Sequence, residues 1–191
     1  TGPGDEKTGY LSDFGEFEKS AVAMRHRWLH GIRQSAISCF AEFGFPSARE
    51  EDWKYTNVAP IAKAQFKLAG SALDGRNVMD LGDSAFPEAQ CCHLTFVNGT
   101  YSEALSAVQA LPRGAKVKSL AVALETERDL IEPYLAQQAS YSRNAFTALN
   151  TAFMADGAFL YLPRDTGLKA VVHLIFLSSG RNEATLSLIH I

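Results

Sequence analysis

The chain has 191 residues, of which 47% are hydrophobic, 20% charged and 10% aromatic, with a formal net charge of -3 and a pI near 5.9. That balance reads as a globular domain and excludes a global basic field that would draw in phosphate backbones, so non-specific nucleic-acid binding is not expected. The longest nearly apolar run, Ala170 to Leu177, contains His173 and falls far short of the roughly 20 residues that a membrane-crossing helix needs.

The first stretch, Thr1-Gly2-Pro3-Gly4, is loop-like, lacks the charged-then-apolar layout of a signal peptide and does not open on Met, so the chain is expected to be a fragment. Asp13 followed by Glu16 resembles a capping box. Apolar residues then recur at Phe17, Ala21, Met24, Trp28, Ile32, Ala36, Phe40 and Phe43, a spacing that predicts one face of a single long amphipathic helix. Gly44 and Pro46 are its expected stop signals. A charged segment, Arg49 to Asp52, and an aromatic one, Trp53 to Tyr55, form a connector, and Pro60 predicts that a helix restarts there.

Gly, Asp, Asn and Ser enrichment from Gly70 to Pro87 reads as loop. Leu94 to Val97, followed by Asn98-Gly99 and Tyr101, predicts a strand entering a type I′ hairpin turn. Ser119 to Tyr134 supports a helix bearing Leu120, Leu124 and Ile131, limited by Pro133, with Leu135 just beyond. Asn144 is placed to cap a helix over Ala145 to Met154 that Asp156-Gly157 closes. Ala158 to Leu162 and Ala170 to Leu177 read as strands separated by a turn-forming stretch with Asp165 and Gly167. The second is apolar on both faces and so expects cover on both sides. The fold class is α+β. Its expected divisions are a helical region with connector over 1–90, a hairpin and helices over 91–157, and further strands over 158–185. The last six residues, 186–191, look like the translation of a sequencing adapter and read as a non-native tail, so nothing is built on His190.

Arg49 to Pro60, with Glu51-Asp52-Trp53-Lys54-Tyr55-Thr56 at its centre, is similar to a segment that follows the N-terminal helix of SufD-type proteins in the SufB/SufD family. Two further stretches match in family order: Thr95 to Tyr101 with Leu105-Ser106, and Ala148 to Phe153 with Asp156-Gly157-Ala158. The resemblance runs to about Arg181. It implies a helical region leading into the first strands of a right-handed parallel β-helix. It further implies a cytoplasmic scaffold subunit that acts with SufB and the ATPase SufC to build and transfer iron-sulfur clusters. The cluster, and any flavin, would belong to the whole complex, because the family's later regions carry its docking surface and its Cys and His positions. The alternative is the N-terminal part of a β-helical carbohydrate-active enzyme, which needs converging carboxylates.

The residues themselves offer little chemistry. Cys39, Cys91 and Cys92 are odd in number and lack C-x-x-C spacing, which argues against disulfides and cluster ligation and for a reducing cytosol. Cys91 and Cys92 beside a strand point to opposite faces and do not readily share an ion. His26 and His30 have the i, i+4 spacing of a helical metal pair, but Arg25 and Arg27 flank them and no Glu base lies between. They read as solvated histidines on the polar side of the helix. His173 reads as a core histidine. Glu50-Glu51-Asp52 reads as a structural cap for a connector whose Trp53 and Tyr55 pack into the core. The G-x-x-x-x-G-K-[ST], G-x-S-x-G and G-x-G-x-x-G motifs do not occur. No catalytic, cofactor-binding or metal residue is assigned, and no bound cofactor is expected.

Overall fold

The computed structural model describes residues 5–64, 66–68, 92–109, 111–169, 171–178 and 183–184. The loop expected over 70–87, Cys91 and the tail 186–191 lie outside them. The chain divides into two compact units, one comprising Thr1–Leu68, Asp129–Ala155 and Asn182–Ile191, the other Ala69–Arg128 and Asp156–Arg181.

In the first unit the predicted single helix is three pieces: α1 (Asp5–Lys19), α2 (Ala21–Arg25) and, after a 3₁₀ turn over Arg27–Leu29, α3 (His30–Phe43). Helix α1 starts well before Asp13, so Asp13 and Glu16 stand inside it and form no capping box. The first break is at Ser20, whose backbone is extended and whose Oγ accepts from Ala23 N–H at 3.2 Å. A serine that caps the following turn competes with helix continuation. Each break rotates the apolar stripe. Phe14, Phe17, Ala23, Leu29, Ala36, Ile37 and Phe40 are buried, whereas Ala21, Met24 and Phe43, expected inside, are exposed.

The stop signal behaves as expected. Gly44 has φ 70°, and its N–H donates to the Phe40 carbonyl at 2.8 Å. Helix α3 packs on α7 (Ala145–Ala152). The cap of α7 is Asn144, whose Oδ1 accepts from Phe146 and Thr147 N–H at 3.0 Å each. Between them lies an aromatic core: the Tyr10, Phe40 and Phe45 rings meet edge-on, and Phe14 and Phe17 pack on Phe153 at 5.7 and 5.4 Å. Such pairs add about 0.5–1.5 kcal/mol each beyond their buried area.

Within this core sits Arg33, whose side chain is 1% exposed. Its Nε and Nη2 donate to the Met154 carbonyl at 3.1 and 2.8 Å, and its Nη1 donates to the Ala23 carbonyl at 3.0 Å. The Phe17 ring lies 5.2 Å from the guanidinium carbon, and Glu18 approaches to 4.0 Å. Burial lowers the Arg33 pKa and Glu18 opposes the shift, yet an arginine stays charged throughout. The connector follows, with a 3₁₀ turn over Glu51–Trp53 and, as Pro60 predicts, α4 (Ala59–Lys63). Strand β1 (Lys67–Leu68) pairs in parallel with β7 (Glu183–Ala184).

The second unit opens with β2 (Cys92–Val97) and β3 (Thr100–Val108), joined by Asn98 at φ 49° and Gly99 at φ 82°, the two positive values that the expected type I′ turn requires. A bulge interrupts this ladder, so that the pairs His93↔Ala107 and Thr95↔Ser102 leave a single β2 residue opposite four of β3. It is stitched by Thr95 N–H to Ser106 Oγ at 2.8 Å and Thr95 Oγ1 to the Leu105 carbonyl at 2.6 Å. Strand β6 (His173–Leu177) lies parallel to β2 on its other side, while β4 (Lys116–Ser119) pairs antiparallel with β5 (Ala158–Tyr161). Leu94, Phe96 and Leu174 share a core with Cys92 and Val117. The expected two-sided cover of β6 is not seen among the described residues. The strand is outermost in the order β3-β2-β6, and Phe176 stays 44% exposed while stacking on Phe96 at 5.1 Å.

The helix predicted over 119–134 breaks at Glu127 into α5 (Leu120–Thr126) and α6 (Arg128–Ile131). The Glu127 carboxylate accepts from Lys116 and Lys118, the latter at 2.9 Å. These two hydrogen bonds, Lys116 first, hold its pKa below the ordinary carboxylate value. Asp156 is the second fixed point. Its Oδ1 accepts from Ser119 Oγ at 2.7 Å, Ala121 N–H at 3.0 Å and Gly157 N–H at 2.8 Å, and its Oδ2 from Tyr101 N–H at 2.8 Å. One carboxylate thereby joins the hairpin, the start of α5 and the entry to β5.

Arg33→Ala is expected to destabilise the protein by about 3–5 kcal/mol, because it opens a cavity and orphans two carbonyls. Arg33→Lys should recover little, since an ammonium lacks the planar fork; denaturant midpoints compare them, and full recovery by lysine would contradict this account. Asp156→Ala should cost at least about 3 kcal/mol by stranding several donors at once, and Asp156→Asn less, as one oxygen remains. For Glu127 the lowered folded-state pKa means that its contribution is present above the unfolded value near pH 4.3 and is lost as pH falls through the folded one. Glu127→Gln should therefore melt below the parent at pH 7, with the gap closing on acidification below about pH 4; a pH-independent gap would refute the assignment.

Candidate functional site

Trp53-Lys54-Tyr55-Thr56 leaves the 3₁₀ turn over Glu51–Trp53 and runs along the surface of the first unit. The Trp53 indole is half-buried and packs on the Phe146 ring of α7 at 5.4 Å. Tyr55, expected to pack inward, is instead 92% exposed, with Lys54 Nζ 5.6 Å from its ring centroid. The reason is local: the 3₁₀ turn points position 53 at α7, and position 55, two residues on, faces away. Two of the three acidic residues pin the connector, although none caps the 3₁₀ turn itself. Glu50 Oε1 accepts from Ser47 N–H at 2.8 Å, and Glu51 lies 3.9 Å from Lys54. Asn57 Oδ1 accepts from Ala59 N–H at 3.1 Å and so closes the turn into α4. The segment thus has one half-buried anchor and a solvent-facing run of Lys54, Tyr55, Thr56 and Asn57.

The titratable candidates fall apart or rearrange. His26 and His30 do not face one ion, because the break after Arg25 and the 3₁₀ turn remove the helical spacing that would align them. His26, expected in solvent, is 2% exposed, while exposed His30 pairs through Nδ1 with Glu18, which also accepts from Gln34 at 3.4 Å. Cys39 is half-buried against the first unit's core; Cys92 is buried in the second. His173 is half-buried on β6, and its registered neighbour on β2 is His93, a pairing across a separation of 80 residues that sequence spacing does not expose. Among the described residues no three His, Cys, Asp or Glu converge as a metal set.

A cleft of about 700 Å³ in the second unit is lined by Cys92, Leu111, Arg113, Asp165, Lys169 and Val172, among others. Its described lining residues include no nucleophile–base pair. Sequence reading passed over Arg33 and placed Asp156 only as a helix stop and within a family-like stretch, whereas these two groups organise the units. The signal for Arg33 was present: a lone charge at the helical spacing of Leu29, Ala36 and Phe40. The signal for Asp156 was not, because its partners Tyr101 and Ser119 lie 55 and 37 residues away.

Comparison with known proteins bears on this surface. Residues 5–174 match the family described as SufBD protein N-terminal region. The chain is 30% identical over 146 residues, 76% of its length, to an iron-sulfur cluster assembly SufBD family protein, slr0076, of Synechocystis sp.. It is 40% identical over 53 residues, 28% of its length, to the SufBD family protein ycf24 of Trieres chinensis. It spans only about a third of the first of these relatives, 32%, and the match covers 11% of the second. Among the described residues no helix is long and apolar enough to cross a membrane. With a match that runs from α1 into the start of β6, the chain belongs to the SufBD family, of which it carries the N-terminal region.

Proposed function

We propose that this chain is the N-terminal part of a SufD-type scaffold subunit, non-catalytic itself, which acts in the cytoplasm with SufB and the ATPase SufC to assemble and transfer iron-sulfur clusters. The observation that carries the reading is the family match over residues 5–174 together with the Trp53-Lys54-Tyr55-Thr56 segment. That segment favours the SufD branch over its SufB paralogue. Its exposed Tyr55 and Lys54 suit work through protein surfaces. The family match weighs against a β-helical carbohydrate-active enzyme.

On this reading the parallel pair formed by β2 and β6 begins a right-handed β-helix, and the cluster, with any flavin, is held at the level of the complex. The chain's own Cys and His residues supply no cluster set, and the contacts with SufB and SufC lie in regions beyond it. The test is co-expression of the full-length protein with SufB and SufC, beside the 191-residue chain. The full-length protein should co-elute with both partners and the shorter chain with neither. A full-length protein that leaves a SufB–SufC pair unaltered in composition and ATPase rate would overturn the assignment.

A further inference from the structure

His93 and His173 are Cα partners in the parallel ladder of β2 with β6. Neighbouring strands lie about 4.8 Å apart and registered residues project to the same face, so the two imidazoles stand side by side. The alternate residues Leu94, Phe96 and Leu174 turn into the apolar core, which places the histidine pair on the opposite face with Thr95 and Ile175. Both histidines are half-buried. On the far side of His93 its partner is Ala107, a small residue next to the bulge that reshapes β3. His93 Nδ1 is buried and finds no hydrogen-bond partner among the described residues. A buried ring nitrogen without a hydrogen-bond partner calls for a ligand, and an ion is one of the groups that answer it.

We propose that His93 and His173 form a two-histidine site for a divalent first-row transition metal ion, with water completing the coordination. Imidazole suits zinc, copper and nickel, and the order of affinity for such a nitrogen pair places copper(II) highest. Metal–nitrogen distances of about 2.0–2.1 Å are compatible with two rings on adjacent strands. With two protein ligands the site stays open and its ion exchangeable, which distinguishes it from a closed structural zinc site. The consequence for the fold is a cross-strand clip: an ion held by both rings ties β6, the outermost strand of its sheet, to β2. The proposal rests on the register and is independent of the scaffold reading.

The untagged 191-residue chain, in a His30→Ala background that removes the sequence-spaced His26–His30 pair, is titrated separately with zinc(II) and copper(II) by calorimetry. One ion per chain is expected, and either His93→Ala or His173→Ala should weaken binding at least about tenfold, since even loss of an outer-shell group costs that much. Zinc at about a hundredfold excess over its dissociation constant should raise the melting temperature by roughly 5 °C in the parent and not in the variants. Affinity unchanged by both substitutions overturns the proposal. If either variant fails to fold, the chain with both histidines decides: its copper(II) electron paramagnetic resonance spectrum should show two imidazole nitrogens. Fewer than two, or no zinc-induced rise in melting temperature, overturns it.

Discussion

A guanidinium taken out of water has to be surrounded by acceptors, and much of the first unit is arranged to meet that demand. Arg33 does so with the two kinds of group that a helical layer has in surplus. The last carbonyls of any helix lack partners within it, and Arg33 reaches Ala23 near the end of α2 and Met154 just past α7. One of those acceptors lies 121 residues from Arg33 in sequence. The Phe17 ring and the Glu18 carboxylate complete the surround from α1. Since the acceptors are backbone atoms, the guanidinium fixes the course of the main chain as well as the packing of side chains. That ties the break between α1 and α2 to the placing of α7.

The second unit solves the mirror-image problem with a carboxylate. Asp156 gathers N–H and hydroxyl donors from three separate segments, and the Glu127 carboxylate gathers Lys116 and Lys118. These few charged hydrogen bonds act where the apolar cluster is small, and each closes a connection between elements that do not pair as strands. Charged groups thus serve as fasteners inside both units.

The connector carries an aromatic residue that is not fastened inward. Trp53 anchors it on α7, and the Tyr55 ring is left in water with Lys54 over its face. An isolated tyrosine so exposed makes little contribution to stability. Its neighbour Trp53, half-buried on Phe146, holds the backbone there in place.

Local signals in the sequence were sufficient wherever the physics is local. Gly44 ends α3, Asn144 caps α7, Pro60 opens α4, and Asn98-Gly99 makes the hairpin, because each depends on backbone dihedrals or on a hydrogen bond spanning two to four residues. The same holds for the Trp53-Lys54-Tyr55-Thr56 segment, which carried the family in its residue order. Tertiary structure decided everything that depends on distant partners. The long periodic stripe from Phe17 to Phe43 concealed the breaks at Ser20 and His26, since hydrophobic period is insensitive to a short interruption. Burial of Arg33 required the Met154 carbonyl, and the departure of Met24 and Phe43 from the core followed the breaks that rotate the stripe. The pairing of His93 with His173 required β6 to dock in parallel on β2. A residue's spacing along the chain reports its neighbours only while the chain stays regular, and these contacts are made where it returns from elsewhere.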